Sequence, residues 1–260
     1  MNKISIIIPI LNEETFIGKL IAHLLENSSK KNIAEIIVVD GGSNDNSKDI
    51  VTKFVTSSDS ETSELYREVN KRVLDMFSQS ENTRTDIKLI HSEKGRAKQM
   101  NFGAKNACGN ILYFLHADSL PPKHFDDFII NEVQKGHEAG CFKMQFDSNH
   151  WWLKLVSWFT QFKWRACRGG DQSQFITKTL FDDIGGFDEQ YIIYEDNILI
   201  NELYKRKQFV VINKTITTSA RLYKKHGIFK LQFYYLNIYL KRWLGADANE
   251  IYGFYKKKVC

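Results

Sequence analysis

Three prolines in 260 residues leave long stretches free to form regular elements, yet no stretch approaches the roughly 20 consecutive apolar residues a membrane span needs. The four cysteines, Cys108, Cys141, Cys167 and Cys260, stand far apart with no C-x-x-C pair. They suggest neither a zinc site nor a disulfide framework, and fit a reducing compartment. Excess charge is also scarce. Lys and Arg number 36 against 31 Asp and Glu, and a net +5 does not imply a nucleic-acid partner. The first apolar run is not followed by G-x-G-x-x-G, which removes the usual signature of an NAD-dependent oxidoreductase. The opening "ISIIIPIL" carries a proline and meets "NEE" at once, too short for a signal peptide, so a cytoplasmic location is expected.

What is present reads as alternating strand and helix. "ISIII" (4–8) and "EIIVV" (35–39) are short β-branched runs of the kind covered on both faces. Between them Phe16, Ile17, Leu20, Ile21, Leu24 and Leu25 recur at the spacing of one helical face, with Asn12, Glu13 and Glu14 suited to its N-terminal end. "DGGSNDNS" forces a turn and caps a second helix. "IKLI" (87–90) and "ILYFL" (111–115) continue the sheet, and "GRAKQMNFGAKNA" is a loop entering a helix. "CFKMQF" (141–146) alternates as a half-exposed strand does. This order predicts an α/β fold with a mainly parallel central sheet flanked by helices. Residues 57–86 interrupt the rhythm and are expected to form an inserted amphipathic helix between two loops.

In an open parallel sheet the loops beyond the carboxyl ends of the strands share one edge, and ligands bind there. Three such ends carry polar groups: residues 9–13, Asp40 before two glycines, and His116 with Asp118 in "FLHADSLPP". Each carboxylate alone could be a turn residue or a helix cap. Asp40 could instead hold ribose hydroxyls, and Asp118 a magnesium or manganese ion completed by water and phosphate. Gly95, Arg96 and Lys98 open a helix and could face phosphates, although a structural salt bridge is an equal reading for Arg96. "RGGDQ" (168–172) sets a turn beside charged residues. Glu195 and Asp196 precede an amphipathic run, as an N-terminal cap or as a general base.

Two aromatic, basic segments, 150–165 and 228–243, are expected to be helical. They read as core or subunit contact, the latter making a homo-oligomer, or as surfaces that adsorb peripherally to a membrane.

The ordered set "SIIIPILNEE", "IIVVDGGSNDNS", "GRAKQMNFGA", "LYFLHADSLPP", "GDQSQF", "GGFDE", "YEDNIL" and "TTSARL" resembles the GT-A glycosyltransferases of family 2. The likeness is strongest to the arsenosugar biosynthesis glycosyltransferase branch. It covers about residues 3–222, implying a GT-A domain over 1–222 and a helical extension over 223–260. It implies transfer of a sugar, with inversion, from a nucleotide-sugar donor, usually a UDP sugar, to a small-molecule or lipid-linked acceptor, with Mn2+ or Mg2+ as cofactor. Pro9, Leu11 and Glu13 would line the nucleoside pocket, Asp40 would contact the nucleotide and Arg96 would lie near the diphosphate. Asp118 matches the last aspartate of the metal-binding Asp-x-Asp motif, and His116 replaces the first. Asp196, with Glu195 beside it, matches the catalytic base, while Asp171, Gln172 and Arg221 fall on the acceptor side or support the site. The competing expectations are a sugar-phosphate nucleotidyltransferase, which usually carries a glycine-rich basic loop where this chain has "PILNEE", and a nucleotide-sugar-binding protein without turnover.

Overall fold

The computed structural model describes residues 2–56 and 85–259; the inserted helix expected over 57–86 lies almost wholly outside them. The described elements run β1 (Ile4–Ile10), α1 (Ile17–Asn27), β2 (Ile33–Asp40), α2 (Ser47–Thr56), β3 (Asp86–His91), α3 (Arg96–Lys105), β4 (Ile111–Phe114), β5 (Ser119–Leu120) and α4 (Phe125–Gln134). They continue as β6 (Ala139–Phe146), α5 (Trp151–Phe159), β7 (Gln174–Thr177), α6 (Lys178–Ile184), α7 (Glu195–Lys205), β8 (Phe209–Thr218), α8 (Arg221–His226), α9 (Ile228–Trp243) and α10 (Ala248–Lys258).

The eight described strands make one mixed sheet in the order β3-β2-β1-β4-β7-β6-β8-β5. The first four are parallel, and β7 then runs antiparallel to both β4 and β6, so the sheet changes direction between β4 and β7. Alternation along β1 explains why the sheet is covered twice: Ile4, Ile6, Ile8 and Ile10 join the core beneath α1 and α4, while Ile7 points to the other face with Ile37, Leu112 and Met100. One buried carboxylate interrupts this apolar sheet. Glu35 accepts from Ser5 Oγ at 2.6 Å and from Lys88 Nζ at 2.6 Å. Burial works against its charge, but these bonds and those from Cys108 prevail and hold its pKa at about 2.

Two expected details change. Helix α1 begins only at Ile17 and has no side-chain cap. Asn12, Glu13 and Glu14 are instead satisfied across the cleft edge, by the loop after β2: the Glu13 amide donates to Ser47 Oγ at 2.8 Å, and Glu14 Oε2 accepts from the Asn46 amide at 3.0 Å. The helix expected across 150–165 stops at Phe159 because the carbonyls of Thr160 and Phe162 accept from the buried guanidinium of Arg168, at 2.5 and 2.6 Å. Helix α9 spans the whole of the second aromatic segment, and its inner residues Ile238 and Tyr235 pack with Ile251 of α10 against Tyr191 and Tyr194.

Candidate active site

The loops after β1 and β2 are fastened to one another. Asn12 takes a positive φ of 57°, its amide donates to Ser43 Oγ at 3.0 Å, and its side-chain oxygen accepts from Asn44 N at 2.8 Å. Behind them the buried amide of Gln99, on α3, donates to the carbonyls of both Ile10 and Val39, at 2.8 and 2.7 Å. A Cβ at Gly41 would lie 2.9 Å from that amide, so the turn closes only because Gly41 has none. Asp40 lies under the same turn. Its carboxylate accepts from the amides of Gly42 and Ser43 and is 2% exposed, so it shapes the turn.

Past β4 the chain turns through His116, Ala117 and Asp118 into β5, which pairs antiparallel with the end of β8; the Asp118 carbonyl accepts from Ser219 N at 3.2 Å. Arg221, just past that pairing, reaches back across the cleft. Its guanidinium makes two hydrogen bonds to Glu13, at 2.7 and 2.6 Å, lies 4.8 Å from the Phe16 ring centroid, and brings Nε to 3.3 Å from Asp118 Oδ2. Burial raises the Asp118 pKa to about 6 despite this cation. His116 is mostly buried, and burial together with the charges of Arg96 and Arg221 lowers its pKa to about 3, leaving a neutral imidazole.

The second group comes from the start of α7. Glu195 is fully buried, with Oε1 held 3.2 Å from Arg96 and Oε2 without a hydrogen-bond partner. A group so enclosed cannot touch substrate. Glu195, expected beside the base as a catalytic residue, is therefore an anchor for Arg96. Asp196 lies at the edge of the cleft, its Oδ2 3.9 Å from Arg96. Burial, and then the adjacent Glu195 charge, push the Asp196 carboxyl well above the ordinary carboxylate range, with Arg96 pulling the other way. Across from it is the turn at Gly170, where a Cβ would fall 1.9 Å from Asp196 Oδ2 and 3.3 Å from His116 Cε1.

The structure thus brings Glu13, Arg96, His116, Asp118, Asp196 and Arg221 to one edge of the sheet, with Asp171 Oδ1 3.8 Å from His116 Nδ1. Pro9 and Leu11 are half-buried at the end of β1. Gln172 is not in this group. Its amide is buried between Arg168, Cys141 and the Cys167 carbonyl, bracing the turn from behind. Gln99 and Gly170 were not anticipated. The signals available were a lone glutamine on a helix face of small residues and a double glycine beside Asp171.

Among the described residues, no three His, Cys, Asp or Glu side chains converge as a metal cage. One buried carboxylate with an imidazole two residues before it does suit a hard cation that takes its other ligands from phosphate and water.

A parallel sheet that reverses after β4, with its polar groups gathered beyond the strand ends, defines a GT-A glycosyltransferase fold. The family model described as glycosyl transferase family 2 matches residues 5–188, and the chain belongs to that family. It is 24% identical over 214 residues to the probable glycosyltransferase YdaM of Bacillus subtilis, covering 76% of this chain and 46% of that one. It is also 27% identical over 135 residues to a dolichyl N-acetyl-alpha-D-glucosaminyl phosphate 3-beta-D-2,3-diacetamido-2,3-dideoxy-beta-D-glucuronosyltransferase of Methanococcus voltae, covering 52% and 34%. The chain spans less than half the length of these curated relatives. Among solved structures it resembles S. aureus TarS 1-349 in complex with UDP, with a TM-score of 0.59 and 18% identity over 84% of this chain and 60% of that one. The mannosyltransferase PcManGT from Pyrobaculum calidifontis, in complex with GDP-Man and Mn2+, gives a TM-score of 0.56 and 16% identity over 83% and 56%. At these identities the structural likeness establishes the fold alone.

Proposed function

We propose that this chain transfers a sugar from a nucleoside diphosphate sugar, with UDP sugars the first candidates, to an acceptor hydroxyl, inverting the anomeric centre. The observation that carries the reading is Asp196: a carboxylate of raised pKa at the cleft edge, across from His116 and beside the Arg96 guanidinium. Asp196 takes the acceptor proton, and Arg96, held by buried Glu195, keeps that carboxylate in place. The loops after β1 and β2 hold the nucleoside, and Arg221 orders Glu13 and Asp118 around the diphosphate. Asp118 would hold Mn2+ or Mg2+, which supplies charge neutralisation for the departing diphosphate. The solved relatives bound to UDP and to GDP-Man with Mn2+ support a nucleotide-sugar and metal requirement.

The ordered runs from "SIIIPILNEE" to "TTSARL" that carry the family resemblance favour the arsenosugar branch as the proposed subfamily, with a small-molecule or lipid-linked alcohol as acceptor. The test is nucleotide release from a panel of UDP and GDP sugars with manganese or EDTA, for the native chain and Asp196→Asn. Metal-dependent release that Asp196→Asn loses, while its donor binding by calorimetry persists, supports the reading. Release by Asp196→Asn at the native rate removes Asp196 as the base. Binding without release in the native chain would identify a nucleotide-sugar-binding protein instead.

A further inference from the structure

The inner side of α9 is committed to the fold, with Leu231 and Ile238 buried. Its outer side is nevertheless apolar. Phe229, Phe233, Leu236, Leu240 and Trp243 follow one another at helical spacing and are 48 to 82% exposed. A second stripe, Trp151, Leu155 and Trp158 on α5, is 40 to 62% exposed. The two meet end to end: the Phe229 ring lies 5.8 Å from that of Trp152 and 6.5 Å from that of Trp151. A continuous apolar surface of this kind needs something to cover it.

Charge selects the occupant. Residues 221–258 carry nine Lys and Arg but only two Asp and Glu, so this segment is more positive than the whole chain at +5 and the remainder is net negative. Several of the cations lie beside the stripe: Lys230 and Lys241 on α9 follow stripe residues in sequence, Lys230 and Lys258 each stand 6.0 Å from the Tyr234 ring, and Lys256 to Lys258 end α10. Two copies meeting through this face would bring like charge against like charge. An anionic lipid surface would accept both the aromatic stripe and its basic flanks.

We propose that the outer faces of α5 and α9 form a docking surface for an anionic lipid bilayer. The same helix adjoins the start of α7, which carries Asp196: the Tyr239 hydroxyl donates to Asn197 Oδ1 at 3.5 Å, and the Tyr194 and Tyr239 rings lie 5.4 Å apart. Docking therefore sets the mouth of the cleft near the lipid headgroups. This goes beyond the proposed reaction and does not depend on it, since binding is read without donor or acceptor.

The experiment is flotation of the full chain with phosphatidylcholine vesicles, with and without phosphatidylglycerol. It is run at low and raised salt for the native chain and for Leu240→Ser with Trp243→Ser, with helicity by circular dichroism as the folding control. The native chain is expected to float with the anionic vesicles, less so at raised salt, and the double variant's partition coefficient to fall by about tenfold or more. No flotation with either vesicle overturns the proposal, as does native-level flotation of the folded double variant. A concentration-dependent dimer by light scattering that the double variant abolishes, without vesicle binding, would assign the face to a second copy instead.

Discussion

Gly170 leaves the space that Asp196 occupies: a methyl group at position 170 would overlap the Asp196 carboxylate, 1.9 Å from Oδ2 and 2.6 Å from Cγ. The obstructed atoms are the end of a side chain, not backbone, so the carboxylate can move aside while the fold survives. Gly170→Ala should therefore keep its melting temperature near the native value and lose turnover by about a hundredfold, the scale of a misplaced catalytic group. A steady-state nucleotide-release assay beside a thermal melt checks this. An unchanged kcat would mean that Asp196 works from a different position.

Among the described residues, Arg96 is the side chain that hydrogen-bonds Glu195, and Glu195 is fully buried. Arg96→Met should cost about 1 to 3 kcal/mol, the range for stranding a buried polar group, with the loss smaller in acid. The sign follows from linkage. Burial raises the Glu195 pKa against the pull of Arg96, so between the unfolded value and the raised folded one the folded state holds the proton more readily than the unfolded one, and removing the guanidinium raises the folded pKa further. Urea unfolding at pH 5 and pH 8 measures the difference; an equal cost at both would contradict it.

A base with a raised pKa must lose its proton before it can act. The acid limb of kcat/KM should fall away well above the ordinary aspartate range near 4, because burial and Glu195 lift the Asp196 pKa. Removing the second of these influences with Glu195→Gln should move the limb to lower pH. A pH profile of initial rates for both proteins reads this directly, and a limb that does not move would separate Asp196 from Glu195.

Gln99 satisfies two carbonyls, Ile10 and Val39, from one buried amide. Gln99→Leu should leave both without that donor and lower stability by about 2 kcal/mol or more. Donor affinity should fall as well, because the loops after β1 and β2 lose their common anchor. Calorimetry on the folded variant, compared with its denaturant midpoint, distinguishes a local from a global effect.

The sheet was legible because its strands are apolar β-branched runs that need no partner to be recognised, and α9 matched its aromatic segment end to end. Helix α5 is shorter than its aromatic segment because the residue that ends it, Arg168, acts from beyond its terminus. The strand ends are legible for a similar reason to the strands: polarity following an apolar run marks where a buried element surfaces. Their partners were harder to read. Whether Asp40 faces a ligand or its own turn, and whether Glu195 or Asp196 reaches the cleft, depends on geometry that neighbouring residues do not encode. Gln99 and Gly170 act across 60 to 89 residues and across 26 residues respectively, through contacts with no local pattern.

The pairing of β5 with β8 bears on synthesis as well as on the finished site. Asp118 is made early, but its loop is held by Thr217, Thr218 and Ser219, about a hundred residues later, and its counter-charge Arg221 follows them. The parallel half of the sheet can form as it leaves the ribosome, since its strands pair with neighbours already made. The end of the cleft lined by Asp118 and Arg221 cannot. A nascent chain that stops before β8 would have the β1–β2 edge of the cleft without the Asp118–Arg221 edge, so the candidate site is completed in one late step.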